Sequence, residues 1–220
     1  MVLAGAVTFA AIYPGFDAKR VVVSGNRRVG GQEILTRAAI AANTTIWLQN
    51  TGAIERRVAE IPYIDRVRVR RVPPATIRIV VTERTPFAVL HSGYDAAVVD
   101  RTLRVLEPAP AESALPVFDL EPALDLTPGS FVRSSDAVTL RSAYEIMAAH
   151  HMTPVELRLD RYGGLVVTMR SGVRLMLGGQ SDLTQKLTLA DAILSQIVTG
   201  RRRVAAIDLR APSAPVLVYR

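Results

Sequence analysis

No cysteine occurs among the 220 residues, so disulfides and thiolate metal sites are excluded while the redox compartment stays open. Histidine is scarce as well, with His91, His150 and His151 the full set. Adjacent positions on a helix point about 100° apart, so His150 and His151 cannot chelate one ion in the i, i+4 manner. A helix-end place near the C-terminal dipole suits them better. Lysine is reduced to Lys19 and Lys186, and arginine supplies every other basic residue. A genomic composition bias accounts for that as readily as a functional choice. No serine stands in a Gly-x-Ser-x-Gly elbow, and no Ser/His/Asp set is suggested by spacing. Carboxylates are spread through loops and helix ends with no pair marked for acid–base work. The chain reads as a non-enzyme with no cofactor and no metal.

One stretch imitates a phosphate loop. Gly25-Asn-Arg-Arg-Val-Gly30-Gly31 has the glycine spacing, but Gly31-Gln32 stands where a lysine and a hydroxyl residue should follow. Such a loop cannot reach a terminal phosphate or hold magnesium, so a plain strand-to-helix turn is expected.

What is present is apolar and basic. Hydrophobic residues make up 49% of the chain, which excludes wholesale disorder and allows one large core or two small ones. The net charge of +7 is unevenly placed. Residues 18–85 carry 13 basic and 5 acidic side chains, whereas residues 86–220 carry 14 of each. An electrostatic partner should therefore meet the first part of the chain.

The most informative stretch runs from Ile64 to Arg84. Val67 and Val69 alternate with Arg66, Arg68 and Arg70; Ile77, Ile79 and Val81 alternate with Arg78, Val80 and Thr82. Period-two alternation makes each run a half-buried strand, apolar on one face and arginine-rich on the other. Pro73-Pro74 sits where the chain must turn, so the two runs form a hairpin. A lone hairpin is marginal and needs elements against its apolar face. Ahead of it lie a strand at Lys19–Ser24, a helix at Gln32–Ala42, and a helix from a Thr51 cap through Glu60. The order β-α-α-β-β closes near Thr85. Beyond Pro86 come short strands at Phe87–His91, Ala96–Asp100 and Arg104–Leu106, then proline-bearing loops over Glu107–Pro116 and Glu121–Gly129. A helix follows from a Ser134-Ser135-Asp136 cap to about His150. Strands are expected at Val155–Asp160, Leu165–Arg170 and Val173–Leu177, then a helix over Asp182–Thr199 capped by Ser181. Strands at Val204–Leu209 and Pro215–Tyr219 end the chain. The fold class is α+β: a β-α-α-β-β module, then a mixed β-sheet domain with two helices.

Residues 2–13 are uncharged and almost wholly apolar. Twelve helical residues reach roughly 18 Å, short of the ~30 Å hydrocarbon core. A signal peptide would want a basic start, and a buried core helix is weakened by Gly5, Pro14 and Gly15. The trailing end of a transmembrane helix, over residues 1–16, fits best, helped by Tyr13 at an interface. For the arginine face of the hairpin (Arg66, Arg68, Arg70, Arg78), nucleic-acid contact is one reading. Interleaved aromatics are missing from it, since only Tyr63 stands near. Anionic membrane headgroups or an acidic partner are the other reading. Arg201-Arg202-Arg203 follows a helix C-terminus, where cations are favoured by the dipole.

Several fragments, in order, resemble the FtsQ/DivIB family of bacterial cell-division proteins. Val21-Val-Val-Ser-Gly-Asn26 and Val29 look like the opening of a polypeptide-transport-associated (POTRA) domain. Ile61-Pro62-Tyr-Ile-Asp-Arg-Val67 and Ala75-Thr76-Ile-Arg-Ile-Val-Val-Thr-Glu83-Arg84-Thr-Pro86 look like its closing hairpin and exit. Val98-Val-Asp100, Leu115-Pro116, Leu177-Gly178 and Ile207-Asp208-Leu209-Arg210 are similar to landmarks of the β domain that follows. Ala211 departs from the aromatic that the family places after Asp-Leu-Arg, whereas Tyr219 matches an aromatic near the end of the last strand.

The resemblance implies a POTRA domain over 18–85 and an FtsQ-type β domain over 86–220. It implies a single-pass inner-membrane protein with its bulk on the periplasmic side, acting as a divisome scaffold without enzymatic activity. Its partners would be FtsB/DivIC-like and FtsL-like proteins and the septal peptidoglycan synthase complex. In the family a strand of FtsB extends the last strand of the β domain. Ser213, Val216, Leu217, Val218 and Tyr219 are the partner-binding residues this implies, with Arg161 matched to a charged contact. A POTRA-bearing transport or assembly factor, holding client polypeptides at sheet edges, is the alternative. Such proteins usually carry several POTRA units or a following barrel.

Overall fold

The computed structural model describes residues 14–121, 123–199 and 204–219. The apolar stretch at 2–13 and the Arg201–Arg203 run lie outside the described residues. The chain divides at Thr85/Pro86 into two compact units. Its class is α+β.

In the first unit a 3₁₀ turn at Pro14–Phe16 leads into β1 (Arg20–Ser24). Helices α1 (Gly31–Ala38) and α2 (Thr51–Ala59) follow, then β2 (Ile64–Val72) and β3 (Thr76–Glu83). The sheet order is β1-β3-β2, with β3 parallel to β1 and antiparallel to β2. Alternation decides which face is buried. Ile77, Ile79 and Val81 of β3 and Val69 of β2 are buried, as are Ile34, Ile54 and Val58 of the helices. Arg66, Arg68, Arg70, Arg78 and Thr82 are exposed on the opposite face.

Helix boundaries differ from expectation for local reasons. α1 stops at Ala38 rather than Ala42, because Ala39 turns left-handed at φ 43°. The Arg57 guanidinium of α2 then donates to the Ala38 and Ala39 carbonyls, satisfying groups that a continuing helix would have used. The cap of α2 is Asn50 rather than Thr51, its side chain accepting from the Ala53 N–H. Asparagine is among the strongest N-caps, so moving the cap one residue upstream costs nothing.

The second unit holds one sheet of nine strands, ordered β12-β11-β10-β9-β8-β7-β4-β5-β6. These are β4 (Ala88–Ser92), β5 (Asp95–Val99), β6 (Val105–Pro108), β7 (Val117–Leu120), β8 (Pro154–Leu159), β9 (Leu165–Met169), β10 (Arg174–Gly178), β11 (Val204–Asp208) and β12 (Val216–Tyr219). Helix α3 (Ser135–Ala149) connects parallel β7 and β8, and α4 (Leu183–Thr199) connects parallel β10 and β11. Parallel neighbours need such crossovers, and helices supply them. Ser134 caps α3 by accepting from Ala137 N–H. The core gathers Leu140, Ala143 and Met147 of α3, Leu187 and Ala190 of α4, and Phe118, Leu157, Leu175 and Ile207 of the sheet. Phe87, Phe118 and Tyr144 meet edge-on or tilted, with centroids 5.5–6.0 Å apart.

Strand β7 was not expected. It is four residues long, flanked by proline-bearing loops, and sits between β4 and β8, both parallel to it.

Candidate functional site

A sheet ends in two edges, and each leaves backbone donors and acceptors without a strand neighbour. In the nine-stranded sheet those edges are β6 and β12. They are treated differently. Beyond β6, the Val105 N–H donates to Ser130 O, and the Val105 carbonyl accepts from Gly129 N–H. Arg104 also bridges to Phe131, so the 129–131 segment covers that edge at its Val105 end.

Among the described strands, β12 pairs with β11 alone. Its register sets Val216 opposite Asp208, Leu217 opposite Ile207, Val218 opposite Ala206 and Tyr219 opposite Val204. Leu217 turns inward onto the core, while Val216 and Val218 point outward at 56% and 45% exposure. Tyr219 is 48% exposed at the far end of the strand. Two exposed β-branched residues, an inward leucine and an aromatic tip form an apolar, extended edge of the kind strand addition uses.

The turn ahead of β12 is stiffened by charge. Arg210 Nη2 lies 2.6 Å from Asp208 Oδ2, and Arg210 Nε donates to both Asp208 oxygens. The Arg210 side chain, set against a burial cost, holds the Asp208 carboxyl below its ordinary range. Ser213 is exposed in this turn, which is closed by the Ala214 N–H donating to Ala211 O.

Arg161 stands elsewhere. It is exposed in the turn between β8 and β9, its guanidinium 4.8 Å over the Tyr162 ring. The Asp160 carboxylate organises that turn by accepting from Tyr162 and Gly164 N–H groups. Those bonds, Gly164 first, hold the Asp160 carboxyl below its ordinary value, and Arg210 adds an attraction. Following the registers, this turn lies at the end of the sheet where β12 starts, with Tyr219 at the opposite end. The structure therefore gathers Ser213 and Val216–Tyr219 on one edge, and leaves Arg161 several strands away.

The first unit shows two further features. The phosphate-loop look-alike is occupied from within: Glu83 Oε1 accepts from the Arg27 and Val29 N–H groups at 2.8 and 2.9 Å, and both Glu83 oxygens accept from Arg28 N–H. Burial pushes the Glu83 carboxyl up, but the Arg28, Val29 and Arg27 N–H groups outweigh it and leave the value lowered. On the arginine face, Arg66, Arg68, Arg70 and Arg78 line an open groove with Val80 and Thr82. Arg66 pairs with Asp65 at 3.2 Å, and Asp65 also meets Arg84. Arg70 stands directly opposite Arg78 in the ladder.

Residues 44–49 carry no helix or strand pattern in the sequence, yet the single tryptophan, Trp47, lies there 43% exposed beside Leu48 at 60%. An exposed Trp-Leu pair after a helix break was the available signal. No helix among the described residues is long and apolar enough to cross a membrane.

Two family models match the chain. Residues 16–84 match the POTRA domain of FtsQ type, and residues 88–210 match the cell division protein FtsQ/DivIB C-terminal model. Among curated relatives, the Cell division protein FtsQ of Mycolicibacterium smegmatis is 30% identical over 211 residues, covering 93% of this chain and 58% of the relative. That of Rhizobium meliloti is 28% identical over 205 residues, covering 89% and 60%. That of Streptomyces bingchenggensis is 27% identical over 210 residues, covering 91% and 76%. The chain thus spans about three-fifths of the length of the first two relatives.

Proposed function

Since this chain belongs to the FtsQ/DivIB family of cell-division proteins, we propose that it is a non-enzymatic divisome scaffold that binds its partners partly by strand addition to β12. The partners are FtsB/DivIC-like and FtsL-like proteins, through which it connects to septal peptidoglycan synthesis. It is a single-pass membrane protein, and both units work on the extracytoplasmic side. The carrying observation is the asymmetry of the edges: the 129–131 segment caps β6 at Val105, while among the described residues β12 pairs with a strand on one side only.

Backbone pairing along four residues supplies roughly three to five hydrogen bonds at a net ~0.5–1.5 kcal/mol each. A micromolar complex needs about 8 kcal/mol before ordering costs. Side chains must therefore contribute, and Val216, Val218 and Tyr219 are the exposed candidates, with tyrosine a frequent hot spot. Arg161 sits too far along the sheet to join the same backbone ladder, and would meet only a partner segment reaching past the strand. Deleting Ser213–Arg220 should abolish capture of an FtsB-like protein while the melting of the first unit stays unchanged. Capture that survives the deletion intact would place the interface elsewhere.

A further inference from the structure

One end of the first unit combines an exposed apolar tip with a basic rim. Several bonds bring its segments together. The Ile46 N–H donates to Phe16 O, Asp17 bridges to Thr45, and the Lys19 and Arg20 N–H groups both donate to Ala75 O. Arg71 reaches from β2 to the carbonyls of Ile46 and Gln49. The start of β1, the 44–49 loop and the Pro73–Pro74 turn therefore share one end of the sheet. The loop is held from inside as well. Ile46 and Gln49 are buried, and the Gln49 amide bonds Ala41 on both its N–H and its carbonyl, with Thr44 O as a third partner. Against that anchorage Trp47 and Leu48 still point outward. The Trp47 ring meets Phe16 edge-on, with centroids 6.1 Å apart, two residues after the apolar stretch ends at Tyr13–Pro14.

The rim is basic. Residues 16–20, 44–49 and 70–78 contain Lys19, Arg20, Arg70, Arg71 and Arg78, with Asp17 the lone carboxylate. Arg70 and Arg78 face each other directly across the ladder, and like charges so placed cost stability unless an anion lies between them.

We propose that this end is a foot that rests on the bilayer surface, with Trp47 and Leu48 entering the interface and Arg20, Arg70 and Arg78 meeting lipid phosphates. Three observations favour lipid. Phe16, which the Trp47 ring touches, follows the uncharged 2–13 stretch closely in the sequence, and on the membrane reading above that stretch would bring the tip to the bilayer surface. Tryptophan is enriched at the headgroup level, where its ring is apolar and its N–H stays wet. Basic side chains near an anionic leaflet are attracted to it. A second copy of the chain fits poorly, because a two-fold contact would bring Arg70 and Arg78 against their own equivalents. The proposal rests on the membrane reading given above and adds how the first unit is set on the surface.

Trp47 is the chain's one tryptophan, so its fluorescence reports this site alone. The full chain is mixed with phosphatidylcholine vesicles, with and without phosphatidylglycerol, and flotation is measured beside emission. In the floated chain Trp47 should shift to the blue and be quenched about twofold by lipids brominated just below the headgroup, the depth at which interfacial rings sit. Arg70→Gln with Arg78→Gln should remove the extra quenching that phosphatidylglycerol brings, and Leu48→Asp should reduce quenching with an unchanged circular dichroism spectrum. A chain that floats while Trp47 keeps water-like, unquenched emission overturns the foot and leaves the membrane reading standing. A chain that does not float overturns both. Trp47 shielded without lipid, as concentration rises or only when a protein partner is added, assigns the tip to that contact and overturns the proposal.

Discussion

At the scale of single residues, Glu83 and Gly25 carry the junction between the hairpin and the loop that enters α1. Gly25 has φ +89°, and a Cβ there would stand 2.1 Å from Val81 O. Both conformation and space exclude a side chain, so Gly25→Ala should destabilise the first unit by on the order of 3 kcal/mol, read by thermal melting. Gly30 meets nothing within 4 Å but is the N-cap of α1, where alanine is a poor substitute, so Gly30→Ala should cost about 1 kcal/mol, distinctly less than Gly25→Ala. Glu83 offers a titration. Its carboxyl is lowered in the folded chain, so the unfolded state binds the proton more readily. The stabilisation is fully present above the unfolded value and is lost as pH falls through the lowered folded one. Melting of the first unit should therefore weaken in acid, and Glu83→Gln should flatten that dependence while costing about 1–2 kcal/mol at neutral pH. An equally steep acid profile in the variant would remove Glu83 as its source.

At the scale of elements, the cap of α2 separates two readings of one sequence. Asn50 and Thr51 are both capping types, and local pattern alone favoured the threonine. The structure uses Asn50, so Asn50→Ala should cost about 1 kcal/mol and Thr51→Ala distinctly less, by urea unfolding. The same limit explains what else was legible. The hairpin of β2 and β3 could be read because each strand is long and faces water on one side, so its alternation survives in the sequence. β7 could not, because parallel neighbours flank it on both sides and four residues carry too little pattern. The end of α1 was hidden for another reason: Ala39 to Ala42 favours helix, and what stops it is Arg57, nineteen residues from the Ala38 carbonyl it bonds. The β12 strand itself was legible, but its position at an edge follows from the order of the whole sheet. That the 129–131 segment caps the other edge at Val105 was visible only in three dimensions.

At the scale of the whole molecule, the chain is built as two cores. The first unit buries Ile34, Ile46, Ile54, Val58, Ile77 and Ile79 between two short helices and three strands. The second assembles its own core around Phe118, Leu140, Met147 and Leu157, and its sheet shares no strand with the first. Each unit meets the minimal demand for independent folding, an apolar sheet face covered by helices. The first is small, and a domain of about 60 residues buries only ~60% of its unfolded surface, which leaves its stability modest. It also carries the whole surplus of positive charge, so self-repulsion should make it the more salt-sensitive of the two. Residues 18–85 expressed alone should give a mixed helix–sheet circular dichroism spectrum and one cooperative melt that rises with moderate salt. In the longer chain the same transition should appear at the same temperature, beside a second that deletion of Ser213–Arg220 lowers without moving the first. A random-coil spectrum for residues 18–85 would mean that the hairpin depends on the second unit. The chain would then have to be treated as one cooperative body, and the first unit's melt would no longer report whether a change at β12 acts locally.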